Sequence, residues 1–114
     1  MNLLSGEGLT YTETPYGRVA VVAELAGFRA AWIYKDQEPI DPSLDMKDVD
    51  DLIVTLQGGL KLELRGDEPQ DVVLGPGDAF VIPAKVPFRG YRYPRGQAEP
   101  TIFLGIYPLD EGSA

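Results

Sequence analysis

Histidine and cysteine are both missing from the 114 residues, so acid/base work in this chain falls to Asp, Glu, Lys or Tyr with a shifted pKa. Disulfides, thiolate nucleophiles and thiolate metal ligands are excluded with the cysteines. The remaining chemistry-bearing groups are unevenly spread. Residues 36–51 hold seven acids (Asp36, Glu38, Asp41, Asp45, Asp48, Asp50, Asp51) against one lysine, Lys47, whereas residues 85–95 hold Lys85, Arg89, Arg92 and Arg95 and no acid. Two solvated faces, or one face pairing the other across adjacent strands, would explain the pattern equally well. In residues 87–94 the two-residue period puts Arg89, Tyr91 and Tyr93 on one face and Phe88, Gly90 and Arg92 on the other. The first set suits a small acidic or hydroxylated ligand, with a guanidinium fork and tyrosine hydroxyls as donors. The alternative is packing between sheets or against a second subunit, with arginine stems covering the rings.

The elements that must hold these groups are short strands. Runs rich in β-branched and aromatic residues at 17–25, 28–35, 51–57, 60–65, 70–74, 79–83, 87–94 and 101–107 are separated by glycine and proline. Leu60, Leu62 and Leu64 alternate with Lys61, Glu63 and Arg65, giving one dry and one wet face. Gly58-Gly59 between two such runs predicts a hairpin. Gly75-Pro76-Gly77-Asp78 predicts a type II turn, with proline presetting φ and glycine accepting a positive one. Residues 42–47 suit a short helical turn or a strand edge. Phe28, Ala30, Trp32 and Tyr34 share a face. Eight or nine short strands without an amphipathic helix predict an all-β sandwich or small barrel rather than a parallel α/β fold.

Length and a 44% apolar content suit one core, hence one domain over residues 1–114. The absence of a long apolar run and of a basic, apolar leader gives the expectation of a cytoplasmic protein without a membrane partner. A net charge of −8 disfavours nucleic acid.

The order of signals from residue 51 to 88 resembles that of the cupins. Gly77 and Pro83 match the second cupin motif, G-x5-P-x-G-x2-H, but Lys85 stands at its later glycine and Phe88 at its histidine. Asp51 to Gly58 is similar to the end of the first motif, E-x6-G, with aspartate for glutamate, and its two histidines fall on Asp45 and Lys47. The resemblance implies a double-stranded β-helix, a jelly-roll barrel, whose metal-holding positions are here Asp45, Lys47, Asp51 and Phe88. Phenylalanine offers no lone pair and an ammonium repels a cation, so neither a metal nor another cofactor is expected.

Within such a barrel Lys47, Asp45 and Asp51 are the catalytic candidates, as a cluster whose pKa values burial and mutual charge would shift; a salt bridge at the rim is the bland reading. Tyr34, Trp32, Phe88, Arg89, Tyr91 and Tyr93 are the ligand-binding candidates, although the bulk of Trp32 and Tyr34 favours filling a core over lining a pocket. The implied functions are metal-independent binding of a small polar, acidic or sugar-like molecule, a metal-independent isomerase, epimerase or lyase, or an assembly module. A homodimer is expected, since cupins often pair through strands near their termini. Cavity geometry discriminates among the functions: Lys47 and Asp51 converging in a pocket favours chemistry, and an interior filled by Trp32, Phe88 and leucines favours a scaffold.

Overall fold

Nine strands form in a computed structural model that describes residues 1–109, most of them on an alternation of apolar and polar residues. They are β1 (Tyr11–Thr14), β2 (Gly17–Leu25), β3 (Phe28–Lys35), β4 (Asp51–Gln57), β5 (Leu60–Leu64), β6 (Gln70–Leu74), β7 (Ala79–Ile82), β8 (Phe88–Arg92) and β9 (Thr101–Pro108). Strand β1, with one apolar-faced residue among Tyr-Thr-Glu-Thr, has no periodic signal and escapes the sequence reading. It forms by pairing with β2, Tyr11 opposite Ala20.

Two antiparallel sheets result, a six-stranded one in the order β1-β2-β3-β9-β4-β7 and a three-stranded one in the order β6-β5-β8. Their facing sides make the main core. Ile53, Ile82 and Phe103 from the large sheet meet Leu60, Leu62, Leu64 and Leu74 from the small one. The dry face expected of β5 is this one, its three leucines being at most 4% exposed. At about 25 cal/mol per Å2 such leucines each contribute on the order of 2 kcal/mol.

The expected hairpin at Gly58-Gly59 does not form. Strands β4 and β5 lie in different sheets, so the glycine pair is a corner between layers. A β-carbon on Gly59 would stand 1.9 Å from the Tyr93 carbonyl oxygen, and Gly58 has φ +71°, so both glycines serve the crossing. The expected turn at residues 75–78 is present: the Asp78 N–H donates to the Gly75 carbonyl at 3.0 Å and Gly77 has φ +87°. Residues 42–47 take the extended alternative, since Asp45 makes a β-bridge with Phe88.

The other face of the large sheet carries a second, smaller core. Trp32, Ala20 and Ile102 are covered there by Leu3 and Leu9 of the N-terminal segment. The Trp32 indole N–H donates to the Leu3 carbonyl at 2.7 Å. No helix among the described residues is long and apolar enough to cross a membrane.

Candidate functional site

Between the sheets, at one end, lies a partly open cavity of about 410 Å3. Parity decides its walls. Ala31, Ile33 and Lys35 point into it from β3, opposite in phase to Trp32 and Tyr34, while β4 sends Asp51 and Ile53 and β9 sends Phe103 and Tyr107. The segment before β4 closes the remaining side because its bridge to Phe88 is reciprocal, at 2.7 and 2.9 Å, and brings Asp41, Asp45 and Lys47 to the rim.

The four positions that the cupin resemblance singled out therefore meet. The Lys47 ammonium is 3.1 Å from Asp51 Oδ2 and 3.5 Å from Asp45 Oδ2. It also stands over the rings of Phe88 and Tyr107, 5.3 and 5.0 Å from their centroids. Asp51 is only 3% exposed, and its other oxygen, Oδ1, is buried with no hydrogen-bond partner. Gly105 leaves the room for it, since a β-carbon there would come within 3.1 Å of Oδ1.

Burial lifts the Asp51 carboxyl above the usual range, and the Asp45 charge adds to this, although Lys47 opposes both. Burial alone would lower Lys47; the charges of Asp51 and Asp45 outweigh it and hold the ammonium above its ordinary pKa. Both directions favour keeping the proton within the pair. A third group, Lys35, had no place in the sequence reading. Burial pulls its pKa down against a weaker pull from Asp41, and among the described residues it forms no ion pair. The signal was available in the alternation of residues 28–35, which sets Lys35 opposite in phase to Trp32.

The remaining candidates lie elsewhere. Trp32 and Tyr34 stack on the far face of the large sheet, ring centroids 5.5 Å apart, with Arg18 over the Tyr34 ring at 5.0 Å. Arg89, Tyr91 and Tyr93 face outward on the small sheet. The Arg89 guanidinium meets Glu63 at 2.8 Å, the Tyr91 hydroxyl donates to the same carboxylate, and Lys61 covers the Tyr93 ring at 5.2 Å. Only Phe88 and Arg89 of the ligand-binding set touch the cavity, Arg89 at a rim where it also donates to the Pro42 carbonyl. Arg92, 7% exposed, instead ties Glu38 to the carbonyls of Gln97 and Glu99.

The outward cluster has a pH consequence. Hydrogen bonding from Tyr91, then Arg89, holds Glu63 below its ordinary pKa, while desolvation and Glu63 push Tyr91 up to about 12. A depressed folded-state pKa gives stability that is complete above the unfolded value of 4.5 and lost as pH falls through the folded one. Glu63→Gln should cost about 1 kcal/mol near neutrality and flatten this part of the acid dependence, read from urea midpoints across pH. An unchanged acid slope would contradict it.

No protein-family model and no curated protein matches the sequence. Solved structures do match in shape. The oxalate decarboxylase of Lactobacillus farciminis, in a formate complex, superposes with a TM-score of 0.75 and 18% identity over 89% of this chain, which spans 31% of that longer chain. A cupin-superfamily protein from Desulfitobacterium hafniense DCB-2 gives 0.64 and 17% over 81% of this chain and 76% of its own. This chain has a cupin fold. A third relative in shape, a Ralstonia eutropha JMP134 protein provisionally named mannose-6-phosphate isomerase, matches this cupin fold nearly end to end: TM-score 0.70, 21% identity, 96% and 97% covered.

The donor set does not fit the divalent metal associated with cupins. An ammonium sits between the two carboxylates, the fourth position is a phenyl ring, and among the described residues no cluster of three or more His, Cys, Asp or Glu is placed to hold an ion.

Proposed function

We propose that the chain is one jelly-roll domain that binds a small, neutral, hydroxylated molecule in the cavity without a metal. The observation that carries this reading is the Lys47–Asp51–Asp45 cluster on the wall of a cavity whose remaining lining is mostly apolar. It supplies an ammonium donor and carboxylate acceptors at one place. Asp41, Asp45 and Asp51 face Lys35 and Lys47, and Arg89 is already engaged by Glu63. No surplus positive charge remains for a strongly acidic ligand, which narrows the choice toward sugar-like molecules.

Calorimetric titration with neutral sugars and polyols, alongside a dicarboxylate, tests the reading. Binding of a neutral member should weaken by roughly tenfold or more in Lys47→Met/Asp51→Asn, about 1.4 kcal/mol. Equal affinity in the double variant, or preference for the dicarboxylate, would overturn it. A second reading, metal-independent isomerase, epimerase or lyase, is favoured by the 3.1 Å contact of Lys47 and Asp51, an acid/base pair at hydrogen-bonding distance beside the space a ligand would fill. The Ralstonia protein's provisional name is consistent with it.

A further inference from the structure

The cavity contains two amines in opposite circumstances. Lys47 is clamped by two carboxylates and stays an ammonium. Lys35 enters from the end of β3 beside Ile33 and has no carboxylate within ion-pair distance among the described residues. A lysine that lines a cavity, is partly desolvated and has no carboxylate partner is the arrangement that activates an amine as a nucleophile. Asp41, from the segment after β3, is the charged group that acts on it, and Tyr16, before β2, lines the same cavity.

We propose that Lys35 is a carbonyl-reactive amine, and that the cavity accepts small aldehydes or ketones bearing hydroxyl groups, which it holds as an imine. This deepens the binding reading above and rests on it. The Lys35 Nζ lone pair attacks the carbonyl carbon, an N–C bond forms, and the carbonyl π pair moves to oxygen, which takes a proton released by the nitrogen. The resulting carbinolamine loses its hydroxyl as water, protonated by Asp41 or solvent, the nitrogen lone pair closes the C=N bond, and the N–H proton of the iminium returns to the group that supplied it. Amine and carbonyl give imine and water, with no change of oxidation state. The Lys47 ammonium donates to a ligand oxygen and fixes its orientation, while Phe88 and Phe103 keep bulk water off the adduct.

The full chain is incubated with glyceraldehyde or dihydroxyacetone, reduced with sodium borohydride, digested and mapped by mass spectrometry. Burial lowers the Lys35 pKa, so the fraction of free amine exceeds that of an exposed lysine. The reduced adduct on Lys35 should therefore exceed that on Lys61 and Lys85, and should disappear in Lys35→Arg and Lys35→Met. Labelling of Lys35 no greater than that of Lys61 and Lys85 would overturn the proposal, and the wild-type result alone is enough for this. Sorbitol, which has no carbonyl, separates the two readings by calorimetry. Sorbitol binding without Lys35 labelling ends the imine and leaves the binding site; loss of both ends the site as well.

Discussion

Lys47→Met is expected to lose about 3 kcal/mol of stability at neutral pH, a fall in melting temperature of roughly 12–20 °C for a domain of this size. The cause is the carboxylate charge stranded in the interior rather than the missing ion pair itself. Asp51 is 3% exposed and, with Lys47 gone, only burial and the neighbouring Asp45 act on it, both pushing its pKa upward. Because Lys47 keeps a quarter of its side chain in water, the loss lies at the lower end of the range for a broken buried pair. The sign of the pH dependence separates this mechanism from simple loss of packing. A raised folded-state pKa means that folded Asp51 binds its proton more tightly than the unfolded chain does. Stability of the variant relative to wild type is then greatest in acid and falls as pH rises from the wild-type folded value, itself above 3.8, through the variant's higher one. The general acid loss at Glu63 affects both proteins and cancels in the difference. Lys47→Met/Asp51→Asn removes the stranded charge and should recover most of the deficit. Urea midpoints for the three proteins between about pH 4 and pH 8 decide it; a deficit independent of pH, or no recovery in the double variant, contradicts it.

The convergence behind that prediction was legible in the sequence only through the cupin resemblance. Composition revealed an acidic stretch and a basic one, and both Lys47 and Arg89 belong to them, but nothing local says that Lys47 turns toward Asp51 while Arg89 turns toward Glu63. Strand alternation was far more informative. It divided β5 correctly into leucine and charged faces, and it separated Phe88, Gly90 and Arg92 from Arg89 and Tyr91. What alternation lacks is an absolute sense, because both faces of the large sheet carry apolar residues, one against the small sheet and one against the N-terminal segment. Trp32 and Tyr34 therefore read as cavity candidates when they belong to the second core. Lys35, of the opposite phase, went unnoticed.

The Gly58-Gly59 corner shows the same limit at the level of the chain path. Two glycines between β runs suit a tight turn within a sheet and a crossing between sheets equally well. The choice is made by the close approach of the Tyr93 carbonyl, which is remote in sequence. The motif spacing at Gly77 answers to local backbone demands, which do not depend on the side chains of Asp45, Lys47, Asp51 and Phe88. A fold match at 17–21% identity is compatible with that separation of demands.

Trp32→Ala should cost about 3–5 kcal/mol, the other large effect, yet leave the cavity unchanged. Trp32 is 1% exposed on the far face of the large sheet, between Tyr34 at 5.5 Å and Tyr11 at 6.3 Å, and its indole N–H holds the Leu3 carbonyl. Gly6 packs over the same ring, where a β-carbon would stand 3.3 Å away. Truncation opens a void that these partners fill only in part, and it unties residues 1–9 from the sheet. Amide exchange should accelerate in that segment before it does in β5, whose leucines belong to the other core. Trp32→Phe keeps most of the ring and loses the bond, at about 1–2 kcal/mol. Ligand affinity measured where Trp32→Ala remains folded should match wild type, because the cavity is built from residues of the opposite phase on β3. A changed affinity in this variant, together with intact binding in Lys47→Met/Asp51→Asn, would mean that the ligand sits on the outer face of the large sheet, where Tyr34 and Arg18 are the polar groups to hold it.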